Sequence, residues 1–127
     1  MLENLKIELI EKIIDTLPFE MSFVDADDKV QYFSKGENRI FKRTKAVIGR
    51  RVQDCHPKHS LEKVVQIIDE MKAGKRDMAE FWIHLGELFV YIRYFAVRDD
   101  DGKYLGVLEL TQEISGIKAI EGDKRLL

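Results

Sequence analysis

Residues 78–98 read MAEFWIHLGELFVYIRYFAVR, and this stretch predicts the centre of the fold. Apolar and polar side chains alternate on both sides of Gly86 and Glu87, which predicts two strands joined by a two-residue turn with glycine first. With Leu85 opposite Leu88, one face carries apolar pairs: Ile83 with Val90, Phe81 with Ile92, and Ala79 with Tyr94. The other face pairs charged or aromatic side chains: Glu80 with Arg93, Trp82 with Tyr91, and His84 with Phe89. Such cross-strand partners stabilise antiparallel sheets, so the sequence predicts this register.

The two faces of the hairpin differ in character, which predicts different surroundings for them. The face with Phe81 and Ile92 is apolar throughout and belongs to the core. The face with Trp82, Tyr91 and Arg93 is aromatic and amphipathic, and an extended apolar surface is rarely left bare to water. We therefore expect another surface to cover the second face.

A last strand is predicted over residues 104–113. Keeping Leu108 and Leu110 on the core face requires an odd number of residues in the preceding loop, because a shift by one residue reverses the faces of a strand. We expect a loop of three residues. Glu109 and Thr111 then fall on the outer face.

Residues 1–17 predict an amphipathic helix. Its apolar positions recur at helical spacing: Leu2, Leu5, Leu9, Ile13 and Leu17. Pro18 ends the helix, because the residue before a proline is pushed out of helical geometry. The apolar stripe packs either on its own domain or on a second copy of the chain, and the pattern leaves both open.

Two short strands, 21–24 and 30–33, follow and are joined by a turn rich in aspartate. Residues 34–51 have a broken pattern that favours short helical turns. Seven basic residues lie there: Lys35, Arg39, Lys42, Arg43, Lys45, Arg50 and Arg51. Aromatic residues do not interleave with them as in single-strand nucleic-acid binders, so we interpret them as a solvated face and expect no nucleic-acid partner.

A long helix is predicted to begin with Ser60 as its N-cap and to end at Gly74. Its apolar positions form one face: Leu61, Val64, Val65, Ile68 and Met71. Residues 114–127 also have helical spacing, but Gly116 and Gly122 each cost a helix about 1 kcal/mol, so we expect a weak helix. The order of elements predicts an α+β fold, with one antiparallel sheet and helices over one face.

Length and composition predict a single domain with one core. The chain has 127 residues, of which 45% are hydrophobic, and its net charge of −2 gives no global attraction to nucleic acid or anionic membranes. Cys55 is the only cysteine, which excludes an internal disulfide and favours a reducing, cytoplasmic location. No apolar run approaches the ~20 residues of a membrane span, and residues 1–12 do not resemble a signal peptide.

Three stretches of the chain resemble the PAS domain, a sensory module of bacterial signalling proteins. They are FVDADDKVQYFS (23–34), VIGRRV (47–52) and VRDDDGKYLGV (97–107). TQEI (111–114) occupies the place where such domains usually carry an Asp-Ile-Thr exit into a signalling helix. The resemblance covers residues 18–114, with residues 1–17 and 115–127 as flanking helices.

A narrower resemblance comes from QDCHP (53–57), AEFWI (79–83) and IRYFAVRD (92–99). These stretches are similar to the PAS domain at the C-terminal end of bacterial and archaeal proteins that also carry a hemerythrin-like domain. The resemblance implies that this chain is a part of a larger signalling protein.

The PAS resemblance implies a five-stranded sheet in the order 2-1-5-4-3, with a cavity between its core face and the long helix. The residues that we expect around the cavity come from the core face, the long helix and the segment before it: Phe33, Phe41, Cys55, His56, Ile68, Phe81, Ile83, Val90, Ile92, Tyr94 and Leu108. Ligand identity is left open.

Cys55 and His56 are the chemically suggestive residues of this set. A thiolate and an imidazole are good ligands for haem iron or zinc, so His56 or Cys55 is a candidate ligand for haem or a metal. A packed cysteine and a histidine that caps the loop are the structural alternative. Flavin photochemistry is not expected, because the reactive cysteine of light-sensing PAS domains would fall at Val52 in this chain.

We expect no enzymatic activity, because Cys55 and His56 are sequence neighbours without a third residue to orient the imidazole. The sequence predicts a sensory module that binds a small molecule or cofactor and signals through dimerisation and its flanking helices. Dimer contacts are expected from the first helix and the outer face of the sheet: Leu5, Leu9, Ile13, Trp82, Tyr91 and Arg93. A PAS domain that binds no ligand and only contacts other proteins is the alternative.

Overall fold

The computed structural model describes residues 1–36 and 38–126. Within these residues the chain forms three α-helices and five β-strands: α1 Ile7–Thr16, β1 Glu20–Asp25, β2 Val30–Phe33, α2 Lys58–Lys72, β3 Met78–Leu85, β4 Leu88–Arg98, β5 Tyr104–Glu113 and α3 Ser115–Lys118. Two short 3-10 helices, Lys45–Val47 and Val52–Asp54, lie between β2 and α2. The strands form one antiparallel sheet in the order β2-β1-β5-β4-β3. This confirms the predicted α+β fold and its strand order.

The β3–β4 hairpin has the predicted register throughout. Leu85 pairs with Leu88 around the Gly86–Glu87 turn, and all the predicted cross-strand pairs are present. On the inner face, which is the face toward α2, the rings of Phe81 and Tyr94 meet edge to face with their centroids 5.4 Å apart. Local alternation and turn chemistry were therefore sufficient to predict this part of the sheet.

The faces of β5 are the reverse of the prediction. Five residues, 99–103, join β4 to β5, so the loop is longer than the three expected but odd in number, as predicted. The pairing then shifts by one residue, from Arg98 with Tyr104 to Val97 with Gly106. This bulge turns Leu108 and Leu110 to the outer face, while Glu109 and Thr111 join the inner face.

Gly106 allows this shift because β1 approaches it closely. Its φ of 153° is one that residues with a side chain rarely adopt. A Cβ at this position would collide with the Val24 carbonyl oxygen and would lie 2.6 Å from the Phe23 ring. Close packing of β1 against β5 at the bulge therefore requires glycine.

Helix α2 covers the inner face of the sheet with Val64, Ile68 and Met71, all of which are buried. The helix begins at Lys58, directly after Pro57, so the predicted N-cap at Ser60 is wrong. Proline is favoured at a helix start because its fixed φ suits the first turn, and the Ser60 hydroxyl donates instead to the Pro57 carbonyl (3.2 Å). The end before Gly74, whose φ is 73°, is confirmed.

Arg39 is buried, in contrast to the predicted solvated basic face. Its side chain donates to the carbonyls of Met21 (3.0 Å), Ser34 (2.8 Å) and Phe41 (3.1 Å). Glu20, 4% exposed, lies 3.9 Å from the guanidinium and accepts the backbone N–H groups of residues 40 and 41. Burial lowers the pKa of Arg39, and the Glu20 carboxylate opposes that shift. This network holds the segment after β2 against β1.

The flanking helices are shorter than predicted. α1 begins at Ile7 rather than at the first residues, which leaves Leu5 outside the helix. It ends where Leu17 takes an extended conformation before Pro18, as expected. At the other end, a helix is predicted over 115–127, of which Leu127 lies outside the described residues; over 115–126, α3 covers only Ser115–Lys118, in keeping with the helix-weakening glycines of this segment.

We expect Arg39→Met to lower the free energy of unfolding by about 3–5 kcal/mol, because it leaves the buried Glu20 carboxylate without its cation. Urea denaturation of both proteins measures the difference. Arg50→Met, at an exposed arginine, is the matched control and should change stability by no more than about 0.5 kcal/mol. Equal stabilities of the two variants would contradict the structural role of Arg39.

Gly106→Ala should destabilise the domain by more than about 1 kcal/mol, because the methyl group collides with β1 and the backbone conformation is strained. Thermal unfolding followed by circular dichroism measures this loss. Gly116→Ala is the control, since a Cβ there meets no atom within 4 Å among the described residues. A melting temperature of Gly106→Ala at or above that of Gly116→Ala would refute the argument.

Candidate functional site

A small cavity lies between α2 and the inner face of the sheet. Its lining comes from β1, the second 3-10 helix, α2, β4 and β5: Val24, Val52, His56, Val64, Ile68, Tyr94, Val107 and Glu109. The space open to a water-sized sphere is about 20 Å³, enough for about one water molecule. The site is thus an apolar chamber with three polar side chains in its wall.

His56 reaches the cavity from the segment that leads into α2. Its Nδ1 lies 2.9 Å from the carbonyl oxygen of Val52. Because a carbonyl only accepts, Nδ1 is the donor in this contact. Cys55, its neighbour, is partly buried and packs against the core.

Tyr94 and Glu109 lie opposite each other on β4 and β5 and form the polar wall of the cavity. Burial raises the pKa of Tyr94, and the nearby Glu109 carboxylate raises it further, so the phenol stays neutral at physiological pH. Glu109 accepts a long hydrogen bond from the Thr111 hydroxyl (3.4 Å). Its other oxygen lies 3.9 Å from the guanidinium of Arg43.

Three of the predicted site residues, His56, Ile68 and Tyr94, come together around the cavity. Val90 and Ile92 are buried on the inner face of β4 but lie outside the lining. The remaining predicted residues are placed elsewhere.

Phe81 and Ile83 are 37% and 39% exposed, although the register puts them on the inner face. The reason is that β3 is the edge strand, whereas α2 packs toward β5. Phe41 packs against the core, and Phe33 borders a surface groove. Leu108 lies on the outer face because of the bulge.

Five lining residues were missing from the prediction: Val24, Val52, Val64, Val107 and Glu109. Val24 and Val64 lie in a predicted strand and on the apolar face of the predicted helix, so a stricter use of these patterns would have found them. Val107 and Glu109 depend on the bulge at Gly106, for which the alternation of β5 gives no signal.

A larger groove of about 800 Å³ opens on the surface between α1, β2 and the segment after β2. Its walls include acidic residues of α1 and basic residues of the facing segment: Glu11, Asp15, Lys35, Arg43 and Lys45. The Lys35 N–H donates to the Asp15 carboxylate (2.9 Å), which ties α1 to the domain. Arg43 borders this groove and also lies 3.9 Å from Glu109, so it links the groove to a residue of the cavity wall.

The outer face of the sheet carries an aromatic and apolar surface. Trp82 is 57% exposed, and the guanidinium of Arg93 lies 4.9 Å from the ring centre of Tyr91 and 5.6 Å from that of Phe95. Within the part of the chain that the structure describes, the buried Arg93 Nε has no hydrogen-bond partner. Leu108 extends this face beside Phe95.

The cavity does not fit a haem. Small-molecule sites usually measure roughly 300–1,000 Å³, far above the space between α2 and the sheet. Across residues 1–36 and 38–126, no three His, Cys, Asp or Glu side chains cluster as a metal site would require. Ligation of haem or a metal by His56 or Cys55 stays a prediction. The helices of these same residues are all too short or too polar to cross a membrane.

Comparison with known proteins agrees with this architecture. The sequence model of the PAS domain family matches residues 10–115. The crystal structure of a C-terminal domain from Streptococcus mutans is 36% identical, covers 92% of this chain and 91% of its own, and superposes with a TM-score of 0.85. No protein with a curated description matches the chain.

More distant structures share the fold. A sensory box sensor histidine kinase from Vibrio cholerae (14% identity, 84% of this chain and 89% of that one) has a TM-score of 0.59. The PAS domain of a Colwellia psychrerythraea protein (14% identity, 86% and 97%) has a TM-score of 0.61. From the family match, the Streptococcus mutans relative and the 2-1-5-4-3 sheet, we conclude that the chain belongs to the PAS domain family.

Proposed function

We propose that this PAS domain is a sensory module, which binds a small molecule in the cavity between α2 and the sheet and passes the signal on through dimerisation and its flanking helices. The observation that carries the proposal is the convergence of His56, Tyr94 and Glu109 on an otherwise apolar chamber. Small-molecule sites usually combine a mostly apolar lining with a few polar groups that orient the ligand, and this cavity wall has that composition.

Ligand entry requires the cavity to widen, and we assign this movement to the end of the segment between β2 and α2, beyond the part that the Arg39 network holds. Its regular structure is limited to two 3-10 helices of three residues each, Lys45–Val47 and Val52–Asp54. The second of these contributes Val52 to the cavity wall and precedes His56. A shift of residues 53–57, which include His56, would enlarge the chamber without breaking the sheet.

A PAS domain that binds no ligand and only contacts other proteins is the second candidate. The small cavity volume, about 20 Å³, favours it. The two candidates differ in one observable, which is the presence of a bound molecule in the native protein.

We expect native mass spectrometry of the purified full chain to show a mass above that of the polypeptide, and denaturation to release the difference. A visible absorption spectrum of the same sample would identify a haem or a flavin. Tyr94→Trp, which fills the cavity, should abolish the added mass, whereas the exposed-site variant Glu87→Gln should retain it. Polypeptide mass alone in every preparation would favour the second candidate.

Dimerisation is supported by apolar side chains that α1 and the outer face leave exposed. Leu9 and Ile13 of α1 are about half exposed, and Trp82 is more so. A second copy of the chain that covers these surfaces would remove them from water. A ligand can shift the equilibrium between two such packings only through its different affinity for each. A ~100-fold preference for one packing shifts the equilibrium by ~2.7 kcal/mol.

Sedimentation velocity tests this part of the proposal. The full chain should sediment as a dimer at high concentration, and Trp82→Glu should shift it toward the monomer, because the new charge would be buried in the interface. Glu87→Gln, at the tip of the same hairpin, should leave the dimer intact. A strict monomer for the unmodified chain would refute dimerisation.

We further propose that the domain works without catalysing a reaction and as one part of a larger signalling protein. The His56 Nδ1 contact with the Val52 carbonyl, rather than with Cys55, supports a binding role for the imidazole. The narrower sequence resemblance favours a partner region of the hemerythrin-like class. The Streptococcus mutans relative is itself a C-terminal domain, which agrees with this placement.

A further inference from the structure

We propose that the ligand of the inner cavity is a small organic cation, an ammonium group on an apolar body, and that it enters by displacing Arg43 from Glu109. This inference rests on the proposed function and names its ligand class. Its basis is the charge of the cavity wall and the geometry of the Arg43–Glu109 pair.

Glu109 is the charged side chain among the eight that line the cavity. Five of the others are aliphatic, Tyr94 presents a neutral phenol, and His56 already uses Nδ1 in its contact with the Val52 carbonyl. A carboxylate accepts hydrogen bonds and does not donate them, so Glu109 requires a donor on the ligand. A ligand carboxylate would be repelled by Glu109, whereas an ammonium group satisfies it.

The present cation partner of Glu109 is held loosely. The closest approach of the Arg43 guanidinium is 3.9 Å, longer than a hydrogen bond, although both side chains are only about one-sixth exposed (15% and 17%). In the described part of the chain, the buried Arg43 Nε also has no hydrogen-bond partner. An ammonium at normal hydrogen-bond distance from Glu109 would therefore replace a weak contact with a stronger one.

Arg43 also links the surface groove to a residue of the cavity wall. It borders the surface groove of about 800 Å³, while Glu109 borders the cavity. Displacement of Arg43 toward the groove would open a path to Glu109. The groove carries both acidic and basic side chains, so it favours neither cationic nor anionic ligands. The preference for a cation therefore comes from Glu109.

The remaining walls fit an apolar body. Val24, Val64, Ile68 and Val107 offer aliphatic contacts, and Tyr94 contributes an aromatic ring to the wall. The ligand class is thus an amine with a compact hydrocarbon part, rather than a sugar or a nucleotide.

Three probes of one shape test the charge preference: benzylamine, benzyl alcohol and benzoate. Each is titrated into the ¹⁵N-labelled full chain and followed by NMR at neutral pH. We expect benzylamine to bind at least ~10-fold more tightly than benzyl alcohol, and we expect benzoate not to bind. The backbone amide resonances that shift should include those of His56, Tyr94 and Val107.

Variants separate the role of each charge. Glu109→Gln keeps the shape of the side chain and should abolish the preference for benzylamine over benzyl alcohol. Arg43→Met should tighten benzylamine binding several-fold, because the competing cation is gone. Glu87→Gln, an exposed glutamate, is the matched control and should bind like the unmodified chain. A thermal melt of each variant confirms that it is folded.

Two results would overturn the inference. If benzoate or benzyl alcohol binds in the cavity as tightly as benzylamine, or if Glu109→Gln keeps the preference, the ligand is not selected as a cation, yet the cavity still binds ligands. If all three probes fail to bind both the unmodified chain and Arg43→Met, the inference is wrong, and the native mass measurement then decides separately whether the cavity function survives.

Discussion

The close approach of β1 to Gly106 is the constraint on which the site depends. It requires a residue without a side chain and accompanies the one-residue shift between β4 and β5. Because side chains alternate along a strand, this single shift determines the face of every following residue of β5. Glu109 thereby enters the cavity wall, and Leu108 and Leu110 join the outer face.

The buried Arg39 network positions the segment after β2, which contains Arg43. It holds the segment after β2 against β1, and Arg43 of this segment lies 3.9 Å from Glu109. Arg39 itself is rigidly bonded, whereas Arg43, four residues later, is not. The same basic segment therefore contains one arginine held by several hydrogen bonds and one held by a single long contact, and only their surroundings distinguish them.

β5 connects the inner cavity to the outer surface. Glu109 faces the proposed ligand, and its two neighbours in sequence face the surface that we propose for the dimer. A movement of β5 at Glu109 would change the packing of Leu108 and Leu110. In this way the alternation of one strand offers a short physical link between ligand and partner, without a contact between them.

The sequence alone predicted the elements whose information is local. The hairpin register follows from the Gly86–Glu87 turn and its cross-strand pairs, and the end of α2 follows from Gly74. The site was predicted only in part: His56, Ile68 and Tyr94 were found, but Glu109 and Val107 were not. Alternation shows that a strand has two faces without saying which one a helix will cover. For β5, that assignment arises where the chain meets β1 at Gly106, because the contact joins residues more than eighty positions apart and exists only in the folded protein.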